Sequence, residues 1–221
     1  MKRERLICRI LAVAVIGTTV PLTSGCEAGP EPAESIGSVL ILAHGDDDHI
    51  AVDELRRALE SEHILVDELP VDSDLSTDLI TKALEGAGTP AQAEPRGIVA
   101  LGHGTSIAWG ALETLGPRLH SAVFVGSPAK RNLAPKNLQD TPLLAIHSSA
   151  DRQTVDAHES AHAALAIAKV PHEMVVYDEV GAEFFDPGSA DWNSSFWRDS
   201  LKRITSWLRV SFTTDDLLDV Q

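Results

Sequence analysis

The chain has 221 residues, of which 43% are hydrophobic and 23% charged, and a formal net charge of −15. Such a length and balance suit one globular domain with a sizeable core. The acidity works against holding nucleic-acid phosphates, so no nucleic-acid partner is expected. Two cysteines, Cys8 and Cys26, are too few for a disulfide framework.

Residues 1–25 read as a leader. A basic start, MKRERLICR, precedes an apolar run, ILAVAVIGTTVPL, and small residues then lead to Cys26. This is the pattern of a secretory signal peptide, with an apolar run too short for a confident membrane span. Thr23-Ser24-Gly25-Cys26 resembles the lipobox of bacterial lipoproteins, with threonine where leucine is commoner. The resemblance implies lipid on Cys26 and an exported protein anchored to the membrane of a bacterial cell envelope. Ordinary secretion and an uncleaved anchor are the alternatives. Residues 26–37, rich in Pro, Gly and Glu, read as a flexible tether.

Strand and helix signals then alternate. SVLILAH (38–44) is a continuous apolar run, as in a buried parallel strand. Residues 49–60 place Ile50, Val52, Leu55 and Leu59 at helical spacing, and 63–69 form a second strand. Asp74 or Ser76 caps a helix that ends on glycine. Strands follow at 97–102, 120–126, 141–147 and 172–178, with helices at 105–116 and 154–170. The segment 192–210 is an amphipathic helix with Phe196, Leu201, Ile204 and Leu208 on one stripe. Residues 211–221 are an acidic, frayed tail. This order predicts an α/β domain over residues 38–210, with a mostly parallel sheet and helices on both faces.

Four stretches resemble, in order, the α/β-hydrolase superfamily, and within it the small dienelactone-hydrolase branch. LILAHG (40–45) resembles the first core strand and its turn. IVALGHGTSIAWGAL (98–112) resembles the strand, elbow and helix around G-H-S-x-G. TPLLAIHSSADRQTV (141–155) resembles the strand and loop that deliver the catalytic acid. VVYDEVGAEFFDPG (175–188) resembles the last strand and the loop that delivers histidine, often Y-x-x-A-x-H-x-F. The resemblance implies a three-layer fold without a lid and the machinery of carboxylic-ester hydrolysis. Acyl transfer needs a nucleophile, a base and a group that orients the base. Carried over residue by residue, the acid position is Asp151, the nucleophile position Gly104 and the base position Ala182. Two of the three roles then lack a working side chain. The expected function is therefore a degenerate hydrolase that binds or scaffolds a small molecule or protein. Its pocket would lie above Gly104, bordered by Gly45, Asp46, His103 and Thr105.

The alternative is a working esterase with a shifted elbow, Gly104-Thr105-Ser106-Ile107-Ala108, and Ser106 as nucleophile. That register needs the preceding strand to run on through Gly102-His103-Gly104, and glycine weakens a strand interior. No histidine follows His172, so the last loop offers no base.

Two further features bear on metals. Asp46, Asp47 and Asp48 crowd the site where an oxyanion would form, and unneutralised carboxylates would oppose it. One is expected to cap the next helix while the others face water; the sharper reading is a divalent ion held by Asp46, Asp48 and a histidine. His158-Glu159-Ser160-Ala161-His162 spells H-E-x-x-H, the zinc-peptidase spacing. Ser160 stands where a bulky apolar residue is usual, and no third ligand follows at a familiar spacing. A solvated histidine pair is expected, a metal-binding protein or zinc peptidase being the minor alternative. No metal and no cofactor is expected. Trp109 is expected in the core, while Trp192, Phe196, Trp197 and Trp207 dock the last helix, with a ligand-lining role open for Trp192.

Overall fold

The computed structural model describes residues 34–44, 49–71, 76–86, 95–126, 138, 140–150 and 152–214. The expected signal peptide and Cys26, together with Gly45, Asp46, Asp48 and Asp151, lie outside the described residues.

Among the described residues, six strands form one parallel sheet in the order β2-β1-β3-β4-β5-β6. They are β1 (Gly37–His44), β2 (Ile64–Val71), β3 (Arg96–Leu101), β4 (Ser121–Gly126), β5 (Leu143–Ser148) and β6 (His172–Tyr177). The helices are α1 (His49–Glu60), α2 (Thr77–Gly86), α3 (His103–Leu115), α4 (Arg152–Ile167) and α5 (Ser194–Thr213), with a 3-10 turn at Gly116–Arg118. Every element expected from the sequence is present.

Alternate strand residues face opposite layers, as the pleat demands. Leu40, Leu42, Ile98, Ala100, Ala122, Phe124, Leu143 and Ala145 pack under α2, α3 and α4. Val39, Ile41, Val99, Leu101, Val123, Val125, Leu144 and Ile146 pack under α1 and α5. The strands are buried on both faces, which is why β3, β4 and β5 are nearly uninterrupted in apolar residues. Trp109 is fully buried and stacks on Phe124 at a centroid distance of 4.2 Å. Trp197 fixes α5 to α1, its indole N–H donating to Glu54 at 2.7 Å. The structure is thus a three-layer α/β sandwich with no inserted lid among the described residues.

Within this sheet the chain leaves β1 for β2 and returns to β3 on β1's other side. The carboxyl ends of β1 and β3 therefore flank the point where strand order reverses, which in open α/β sheets is where ligands bind.

Candidate active site

β3 ends at Leu101 and α3 begins at His103, so a single residue, Gly102, makes the turn between them. Its backbone, φ +48° and ψ −120°, lies where side-chain-bearing residues are strained. The turn is tied at both sides. The Gly102 N–H donates to the Val125 carbonyl at 2.8 Å. The Gly102 carbonyl accepts from the Thr105 N–H at 3.1 Å and from the Thr105 hydroxyl at 2.8 Å.

This geometry corrects two expectations, those on Gly104 and Thr105. Gly104 is not the turn residue; it lies in the first turn of α3. A Cβ there would stand 2.5 Å from the Leu42 carbonyl oxygen, so glycine lets α3 close onto β1. Thr105 does not turn its side chain to a pocket among the described residues. It is fully buried, and its hydroxyl is committed to the turn. Ser106 is exposed inside α3, four residues beyond Gly102, and β3 does not extend through Gly102-His103-Gly104 as a Ser106 elbow requires. His103 opens α3 and is exposed.

The space facing Gly102 is filled. A Cβ on Gly102 would stand 3.0 Å from Phe185 Cζ, and one on Gly126, at the end of β4, only 2.6 Å from Phe185 Cε1. Phe185 is 1% exposed. It belongs to the loop after β6, and its ring is braced by Phe184 and Trp197, with centroids at 5.8 and 6.3 Å. Tyr177 extends the cluster, edge-on to Phe184 and stacked on Phe196. Hydrogen bonds fix the loop: Asn193 N–H to the Phe184 carbonyl at 3.0 Å, Asp186 N–H to the Glu183 carbonyl at 3.0 Å, and Ser189 hydroxyl to the Glu183 carboxylate at 2.9 Å. Ala182 sits in this loop, exposed, with its carbonyl 3.1 Å from the place of a Gly126 Cβ. The sequence expectation gave Phe185 no role; no local signal marks it, because the contacts that seat it at the turn are with residues 59 and 83 positions away.

With the turn, strand order and loop in view, comparison with known proteins is decisive. The sequence profile of the dienelactone hydrolase family matches residues 73–212. The chain belongs to the dienelactone hydrolase family. A search of curated proteins gave no match. Among solved structures, a Klebsiella pneumoniae protein provisionally assigned as a dienelactone hydrolase superposes with TM-score 0.60 at 19% identity, over 81% of this chain and 89% of that one. The esterase domain of a Rhodothermus marinus protein gives TM-score 0.57 at 16% identity, covering 80% and 87%. The dienelactone hydrolase of Anabaena variabilis gives 0.56 at 17%, also covering 80% and 87%. At these identities the structures speak for the fold, and in this dienelactone hydrolase family chain Gly102 is the strand-to-helix turn residue.

The H-E-x-x-H motif lies on α4, and its pair is not the solvated one expected. His158 is buried, 3% exposed, and stacks face to face on His147 of β5, with centroids 3.2 Å apart and planes 8° apart. His147 is 1% exposed, and neither of its ring nitrogens has a hydrogen-bond partner among the described residues. Burial pulls the His147 imidazole down to about 4, so it is neutral at pH 7. His162 faces outward toward His172 of β6. Trp192 borders a cavity of about 270 Å³ with Glu54, Arg57 and Trp197, between α1 and α5.

Proposed function

We infer that this member of the dienelactone hydrolase family has lost its esterase centre and works as a binding or scaffold domain. One observation carries the reading. The strained turn that presents the nucleophile in α/β-hydrolases is occupied here by Gly102, and the ring of Phe185 lies where a nucleophile's side chain would project. The family resemblance puts Ala182 at the base position, so a second role also has no titratable group. Asp151 at the acid position has neither partner to orient. A working esterase through Ser106 is disfavoured by the same turn, because Ser106 sits on the helix and not at the strained residue.

The leader and Cys26 support an exported lipoprotein, held in a bacterial cell envelope by lipid and presenting this domain on a tether. The experiment that tests the functional reading is covalent labelling of the purified protein with a fluorophosphonate probe, beside an active esterase of the same family. Absence of an adduct agrees with the reading. A stoichiometric adduct on Ser106 overturns it.

A further inference from the structure

Four imidazoles gather between α4 and the β5–β6 edge of the sheet. His147, His158, Glu159 and His162 line a cavity of about 240 Å³ with Val155, Met174 and Val176. Within this group, His162 Nδ1 and His172 Nε2 lie 2.8 Å apart. The tautomer of His172 follows from its other nitrogen. Nδ1 is 2.7 Å from the Val170 carbonyl oxygen, which can only accept, so Nδ1 carries the hydrogen and Nε2 presents a lone pair. A ring N–H tied to a backbone carbonyl is how proteins orient an imidazole that ligates a metal through its other nitrogen.

We propose that His162 Nδ1 and His172 Nε2 bind a borderline divalent transition ion, such as zinc, with the Glu159 carboxylate as third donor and water completing the shell. Two imidazole nitrogens on one tetrahedral zinc, each at about 2.0–2.1 Å, lie about 3.3 Å apart, so the pair needs to open by only about half an ångström. His162 is exposed, and its Nδ1 turns a lone pair to the ion when the ring's hydrogen sits on Nε2. Glu159 is one turn before His162 on the same helix face and swings in by rotamer change. Among the described residues no three such side chains converge as they stand, which makes the His162–His172 pair the preformed part. The arrangement differs from a zinc peptidase. There both histidines of the motif hold the ion and the glutamate is a base; here His158 is stacked inward on His147 and the glutamate is a ligand. Nitrogen donors favour zinc, nickel or copper over calcium or magnesium.

The test is titration of the chelator-stripped, untagged full-length protein with zinc chloride by calorimetry, repeated with Co²⁺ to read the visible absorption of the bound ion. One ion per chain is expected. His162→Gln and His172→Gln should each weaken binding by about tenfold or more and abolish the cobalt band, while Glu159→Gln weakens it less. His63→Asn, elsewhere on the surface, should change nothing. His172→Gln also loses the bond to Val170, so His162→Gln, on an exposed helix face, decides if that variant fails to fold. Absence of saturable binding, or binding that survives His162→Gln, overturns the proposal. So does binding that needs His158 in place of His172, which would put the ion on the H-E-x-x-H pair.

Discussion

Phe185 rests on Gly102. The ring reaches from the loop after β6 to the turn after β3 and places Cζ 3.0 Å from where a Cβ on Gly102 would stand. The two residues depend on each other: glycine leaves room for the ring, and the ring removes the space a nucleophile would need.

Placing a serine at the turn should therefore not create an esterase. Gly102→Ser puts a side chain on a backbone at φ +48°, ψ −120°, at a cost of about 1–3 kcal/mol, and forces the Phe185 ring to give way. The expected result is a lower midpoint in urea unfolding and p-nitrophenyl acetate hydrolysis no faster than the parent's. The double variant Gly102→Ser/Ala182→His should be equally inactive. Turnover by either would show that the site is open.

Phe185→Ala should be among the most damaging single changes. It removes a fully buried ring that touches two strand ends and braces the aromatic cluster of Phe184 and Trp197. Truncation of such a ring costs about 3–5 kcal/mol. Chemical denaturation measures it, and a loss under about 1 kcal/mol would mean that the ring is not seated as described.

Two helix glycines separate packing from propensity. Gly104→Ala drives a methyl to 2.5 Å from the Leu42 carbonyl oxygen, a backbone atom that cannot step aside, and should destabilise by about 1–3 kcal/mol. Gly110→Ala, on the exposed side of the same helix with nothing within 4 Å, should stabilise by about 0.5–1 kcal/mol. Paired thermal melts of the two variants check both signs at once.

His147 gives the fold an acid sensitivity of known sign. Its folded pKa, about 4, lies below the unfolded value near 6.5, so the unfolded chain takes up the proton first. The stability it contributes is complete above pH 6.5 and is lost as pH falls from 6.5 through about 4. The loss amounts to about 3 kcal/mol at most. Unfolding free energies measured with chelator at pH 7, 5.5 and 4 should fall accordingly, and His147→Leu should flatten the profile across that window.

The sequence by itself determined the layers and the order of elements. Buried parallel strands need apolar residues on both faces, so SVLILAH, GIVALG and TPLLAIH announce themselves without knowledge of their neighbours. It also showed that no histidine follows His172, which is where the resemblance looks for the base. Where the turn falls within Gly102-His103-Gly104-Thr105-Ser106 was misplaced: the resemblance put it at Gly104, with Ser106 as the alternative, because small residues fit an elbow in more than one register. Tertiary contacts chose. The Leu42 carbonyl demands glycine at 104, the Val125 carbonyl captures the Gly102 N–H, and Phe185 closes over the turn from 83 residues downstream. The histidine cluster has the same origin. Two of its members are visible four apart in a helix, but His147 and His172 join them only because β5 and β6 pair side by side beneath α4. Local periodicity specifies elements; which side chains meet at their ends and edges is set by packing between residues distant in the chain.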